Sequence, residues 1–265
     1  MNMAKTQTPK LPTRQKRTTN SLVKAFRRIL RKRRNRFILI ILLLLALAGL
    51  YYAQTRLVHD RRDDVQDQTV GVTQPNHQSV RATMFWVGEP PDEDNANITN
   101  VASAWTEDWV KAFGGIDSPD KRCGYKPCSF EPKENPFYFA LPYNDYAADG
   151  DLKPNSELKR IPWFSGPAPA GMSLLKNRWI AVTLNGKTAY AQWEDVGPMH
   201  EDDVDYVFGD AKPKYRAGLD LSPAMDNYLG LGGEANVSWK FVEASDVPDG
   251  PWKALVTTSG LDYSN

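Results

Sequence analysis

The chain has 265 residues, 33 of them Lys or Arg and 32 Asp or Glu, with two cysteines and three histidines. Residues 1–36 hold 13 of the basic residues and no acid, so 20 basic residues face all 32 acids in the remainder, a balance of −12 hidden under a net charge of +1. A basic arm with no folded element of its own argues against nucleic-acid binding, and a single C-x₄-C pair with scattered histidines argues against structural zinc.

The N-terminal arm ends in "RRILRKRRNRF" and runs into "FILIILLLLALAGLYYAQT", residues 37–55, which carry no charge. Nineteen residues at 1.5 Å each span about 28 Å, close to the hydrocarbon thickness of a bilayer. Tyr51 and Tyr52 stand where interfacial aromatics sit, and the basic flank places the N-terminus in the cytoplasm. The expectation is a single transmembrane helix over 37–55 that contacts the lipid bilayer. Residues 1–36 are then cytoplasmic, and the C-terminal domain is periplasmic or extracellular. A cleaved signal peptide, cut near Ala46–Ala48, is the competing reading. Residues 56–80 are polar and lack aromatics, which suits a stalk.

A single folded domain is expected over 81–250, followed by a tail at 251–265. "RATMFWVGE" reads as a first strand. "SAWTEDWVKAFGG" reads as a short helix, with Trp105, Trp109, Val110 and Phe113 near one face and Gly114-Gly115 as its stop. Cys123 and Cys128 in "CGYKPC" suit a short disulfide on the outside of a membrane. "PFYFALP" is an aromatic-rich strand. "NRWIAVTLNGKTAYAQWEDV" holds two strand-like runs around Asn185-Gly186, the strongest short hairpin signal in the chain. In "LDLSPAMDNYLGLGG", Ser222 suits an N-cap, Pro223 the first helical position and Gly230 the stop. "ANVSWKFVE" reads as the last strand. Many strands with short helices between them argue for a small β-barrel or sandwich.

"AYAQWEDVGP" followed by "AGLDLSPAMDNYLGL", with "VSWKFVE" and "DVPDGPW" after them, resembles the rare lipoprotein A-like family of double-psi β-barrels, relatives of barwin and the expansins. "CGY" at Cys123 is similar to a Cys-Gly near the start of the barwin-type barrel. The match covers residues 120–244 well and 81–119 loosely. It implies a mainly β fold, a small six-stranded double-psi barrel with short helices, and an activity directed at cell-wall polysaccharide, peptidoglycan in particular. The chain departs from the family pattern at Glu194-Asp195-Val196-Gly197-Pro198, where the family shows Asn-Asp-Arg-Gly-Pro. It also carries an acidic insertion, "MHEDDVDYVFGDAKPKYR".

In lytic members one carboxyl protonates the glycosidic oxygen and then takes the proton of the sugar's own 6-hydroxyl, which closes an anhydro ring. The motif match places Asp195 in that role, with Asp220 near it and His200 as the post-turn histidine. Such an acid must hold a proton near neutral pH, through burial or through neighbouring acids such as Glu194, Glu201, Asp202, Asp203 and Asp205. Strand alternation sends Glu194 and Asp195 to opposite faces, with Glu194 facing solvent or pairing with a lysine. Asp195 as a turn residue and Asp220 as a backbone partner ahead of the helix remain alternatives.

Tyr138, Tyr143, Trp163, Tyr190 and Trp193 are candidates to stack on or border sugar rings, while most of the eight tryptophans suit the core. Asn144 and Asp145 in "LPYND" resemble an Asn-Asp pair at the edge of the family's cleft. The acidic stretches "NDYAADGD" and "EDDVDY" miss the calcium-loop pattern, and there is no phosphate loop, nucleophile elbow or CxxC. No metal and no cofactor are expected. Three readings stand: a lytic transglycosylase-like enzyme, an expansin-like module that binds wall without cutting it, and an adaptor of an envelope complex. An acid pair facing an open groove with exposed aromatics favours the first; an occluded pair favours the silent versions.

Overall fold

A computed structural model describes residues 75–259, apart from 94, 96 and 167–170. The basic arm, the apolar segment 37–55 and most of the stalk lie outside the described residues. Among the described residues no helix is long and apolar enough to cross a membrane.

Six strands close into a mixed barrel. In chain order the strands are β1 (His77–Met84), β2 (Arg122–Cys123), β3 (Lys126–Pro127), β4 (Tyr138–Leu141), β5 (Trp179–Leu184), β6 (Lys187–Val196), β7 (Leu219–Leu221) and β8 (Glu234–Val242). Around the barrel the order is β1-β7-β4-β6-β5-β8. Pairs β1–β7 and β4–β6 are parallel, and the other neighbours are antiparallel. Closure leaves no open sheet edge. Alternating side chains of these strands fill the interior, with Phe139, Trp193, Leu219, Leu221, Val237 and Trp239 all buried.

The local signals translate directly where short-range chemistry decides. Asn185 and Gly186 both take positive φ, 51° and 78°, and turn β5 into β6. Helix α4 (Pro223–Leu229) starts on Ser222, whose side chain accepts from the Met225 N–H, and stops at left-handed Gly230. Two other short helices, α2 (Asn155–Leu158) and α3 (Val204–Val207), sit in the loops. The disulfide Cys123–Cys128 closes the small β2–β3 hairpin.

Three boundaries differ from expectation. Strand β1 begins at His77, inside the segment read as stalk, because His77 and Val80 are buried and pair with β8. The C-terminal "tail" is part of the domain: Trp252 is buried, and Thr257 exchanges hydrogen bonds with Gln192 and Asn135. The helix α1 (Trp109–Phe113) is shorter than its periodicity suggested, since Asp108 caps it and Trp105 is drawn away by Asp145. Helix α1 lies over the outside of β4, where Phe85, Val87, Trp109, Phe113, Tyr138 and Ala140 make a second apolar cluster.

Candidate functional site

A row of side chains crosses four neighbouring strands on the outer face of the barrel. Thr83 of β1 is register partner of Asp220 on β7, Asp220 of Ala140 on β4, and Ala140 of Asp195 on β6. Leu219 and Leu221 flank Asp220 and point inward, so the aspartate points out. Asp195 reaches this face through an irregularity. Phe139 pairs with Trp193, but the next residue, Ala140, pairs with Asp195, which leaves Glu194 as an extra residue in β6. Such a bulge shifts the alternation by one and re-aims the side chains beyond it. Without it, Trp193 and Asp195 would share the interior face. Gly197 lies directly beside the row, since a Cβ there would stand in contact with Asp220 Oδ2 at 3.4 Å.

Burial sets the electrostatics of the row. It pushes the Asp195 carboxyl up to about 7, against two backbone N–H bonds that favour the anion and with a smaller push from Glu201. Asp220 is likewise raised to about 7, first by burial; the Thr83 hydroxyl opposes this, while Glu89 and Asp195 add to it. Glu89, which sequence reasoning did not single out, is also raised to about 7 by burial, and Asn100 Nδ2 holds it at 2.8 Å. Burial thus raises three neighbouring carboxyls to about 7, and Asp220 feels the charges of the other two.

The row is covered. Asp195 is only 8% exposed. The Ala104 N–H donates to its Oδ1 at 2.8 Å, and the Val196 N–H donates to the same oxygen at 2.8 Å. Among the described residues no donor reaches Oδ2. Ala104 belongs to a tight turn in which Ser103 and Thr106 exchange backbone hydrogen bonds.

The other candidates separate into three groups. Glu201 acts electrostatically on Asp195 and is itself held by Asn144, whose Nδ2 donates to Glu201 Oε2 at 3.1 Å. His200 follows the turn but packs at a tilt against Tyr215, ring centroids 3.5 Å apart and planes at 51°, and no hydrogen bond joins it to either aspartate among the described residues. Tyr215, 53% exposed, and Met199, 52% exposed, are the uncovered apolar surface of this rim, and neither was among the aromatic candidates.

Most of the aromatic candidates are framework instead. Tyr138, Tyr143 and Trp193 are buried, and Trp193 packs inside the barrel against Phe139 and Phe241. Trp163 is half-buried under Arg178 and donates to the Leu174 carbonyl. Tyr190 borders a different groove with Lys240, Phe241, Val242 and Glu243. These residues were selected by type, and only the closed barrel reveals which rings it consumes.

Asp145 changes role, and Glu194 takes the second of its two expected roles, pairing with a lysine. Asp145 does not line a cleft: it is fully buried, and it accepts from Trp105 Nε1, the Ser173 hydroxyl and the Leu174 N–H. Glu194 does not face solvent. It is buried, 3.9 Å from Lys176 Nζ, and burial holds its carboxyl well above the usual range. Lys176 Nζ also donates to Thr106 Oγ1 at 2.8 Å and to Ser259 Oγ, which in turn donates to buried Glu134. The acids of the insertion are largely stitching: Asp205 pairs with Arg160, and Asp202 and Asp203 pair with Lys214. Among the described residues no group of three or more His, Cys, Asp or Glu is placed to hold a metal ion.

No protein-family model and no curated protein matches the chain. Among solved structures it is similar to the Streptomyces papain inhibitor, at 17% identity, over 64% of this chain and 97% of that one, with a TM-score of 0.28. At that score the likeness carries nothing about activity.

Proposed function

We propose that this chain is a membrane-anchored, outward-facing barrel of the double-psi type that binds cell-wall glycan, peptidoglycan in particular, without cutting it while the acid row stays covered. One observation carries the non-cutting side of this reading: the acid that cleavage needs is largely covered, with Ala104 N–H seated on Asp195 Oδ1 and only 8% of the residue exposed. A general acid must come within hydrogen-bond reach of the glycosidic oxygen, and a covered carboxyl does not. The rim offers binding chemistry instead. Tyr215 presents an exposed ring packed on His200, and Asn144 and Glu201, joined by a hydrogen bond, add polar groups of the same post-strand loops. The glycan itself is inferred from the family resemblance of the strand-end and DLS motifs.

Lytic cleavage is the second reading, and a specific observation favours it. Asp195 and Asp220 both hold protons to about 7, and Asp195 Oδ2 accepts from no described donor, so that oxygen can carry the proton. Incubation with purified peptidoglycan separates the two. Retention on insoluble wall without anhydro-muropeptides in the mass spectrum, unchanged by Asp195→Asn, is the expected result. Anhydro products that vanish in Asp195→Asn establish cleavage. Failure of both assays leaves the adaptor role.

A further inference from the structure

The turn over Asp195 is held in an unusual way. Ala104 is exposed, and Val101 is 48% exposed, so burial of the turn's own apolar surface contributes little beyond one indole. Its anchors are polar and reach into buried partners. Trp105 Nε1 donates to Asp145 Oδ1 at 3.1 Å, with the indole edge-on to Trp193. Thr106 Oγ1 accepts from Lys176 Nζ, whose ammonium is held between Ser259 and Glu194. Between these two anchors the Ala104 N–H points at Asp195 Oδ1. Three buried ionisable groups, Asp145, Lys176 and Glu194, thus bear directly or through one neighbour on a single turn, and Glu134 joins them through Ser259 and Lys176. A segment held by a few hydrogen bonds and little apolar area is one that opens locally without unfolding the rest.

We propose that the Ser103–Thr106 turn is a latch on the acid row, anchored by Asp145 and Lys176, and that opening it admits a ligand to Asp195. The Ala104 N–H occupies on Oδ1 the place of a hydroxyl donor, so a sugar hydroxyl can replace it bond for bond. This rests on the reading of the row as the ligand-facing site, and it is tested without any glycan.

The test is carbodiimide-driven amidation of carboxyl groups with a small amine in the purified full-length chain, read residue by residue by mass spectrometry. Asp149, exposed, is the reference, and buried Glu194 reports that the barrel stays folded. Ala104→Pro deletes the donor at the first inner position of a turn, where proline is suited. Trp105→Phe with Thr106→Val removes both anchors while keeping an aromatic ring at 105 and the branched shape at 106. Losing one such hydrogen bond shifts an opening equilibrium about tenfold, so Asp195 labelling should rise about tenfold in Ala104→Pro and by at least as much in the double variant, with Glu194 still protected. Asp195 labelled in the wild type as fast as Asp149 overturns the latch. So does a double variant that stays folded with Asp195 labelling unchanged. If Ala104→Pro exposes Glu194, the double variant decides. A chain that ignores peptidoglycan yet shows the labelling change keeps the latch and loses the glycan.

Discussion

Asp195 takes two backbone N–H groups on one oxygen and none on the other among the described residues, and this asymmetry has a thermodynamic consequence. The unfolded chain releases the Asp195 proton at about pH 4, whereas the folded chain keeps it to about 7. Between those values the folded state binds more protons, so stability falls as pH rises, and the full penalty is present above about pH 7. Asp195→Asn keeps the Oδ1 acceptor and cannot ionise. It should melt higher than the wild type at about pH 8, with the gap closing toward about pH 4. Thermal denaturation across that range checks this, and a gap that does not change with pH would show that Asp195 ionises like an exposed aspartate. His77 works in the opposite sense: burial against Trp239 and Tyr206 lowers it to about 4, so below about pH 6.5 it costs stability as pH falls.

Among elements, the bulge in β6 matters most to the site. A regular strand would have spent Asp195 on the barrel interior; one extra residue turns it to the outer face and leaves Glu194 buried beside Lys176. The bulge is invisible in "QWEDV" because it is defined by what β4 places opposite, not by the strand's own residues. Helix α4 is the contrasting case: its Ser222, Pro223 and Gly230 act within a few residues, and the expectation from sequence holds. Ser222→Ala should cost about 1 kcal/mol in chemical denaturation, through the lost bond to the Met225 N–H. The β2–β3 disulfide spans a sequence separation of 5, so the entropy it removes from the unfolded chain is small. Replacing both cysteines by serine should lower stability by about 2 kcal/mol and leave the labelling of Asp195 unchanged.

At the scale of the whole molecule, closure of the barrel depends on both ends of the folded region. A fragment starting at Arg81 loses buried His77 and Val80 and part of the β1–β8 seam, whereas one starting at Pro75 retains them. The shorter fragment should unfold at lower denaturant, and one that matches the longer would mean the seam contributes nothing. Truncation after Gly250 removes buried Trp252 and Thr257 and strands the buried amides of Asn135 and Gln192. The loss of the tryptophan alone should cost about 3–5 kcal/mol, measured by urea denaturation.

The amino-acid sequence by itself determined the local devices: the Asn185-Gly186 turn, the capped helix α4, the Cys123–Cys128 pair, and a mainly β domain with most of its tryptophans inside. Each is set by residues a few positions apart, whose chemistry needs no distant partner. The family resemblance of its motifs, rather than the residues alone, singled out Asp195 and Asp220, and the barrel places the two in one row. Only the tertiary structure decided which rings are core, that Glu89 joins the acids, that Asp145 and Glu194 are buried anchors, and that a turn about ninety residues upstream caps Asp195. Those outcomes depend on burial and on contacts between segments far apart in sequence. Desolvation, the largest influence on each of these carboxyls, is a property of the closed barrel and its covering loops rather than of any residue type.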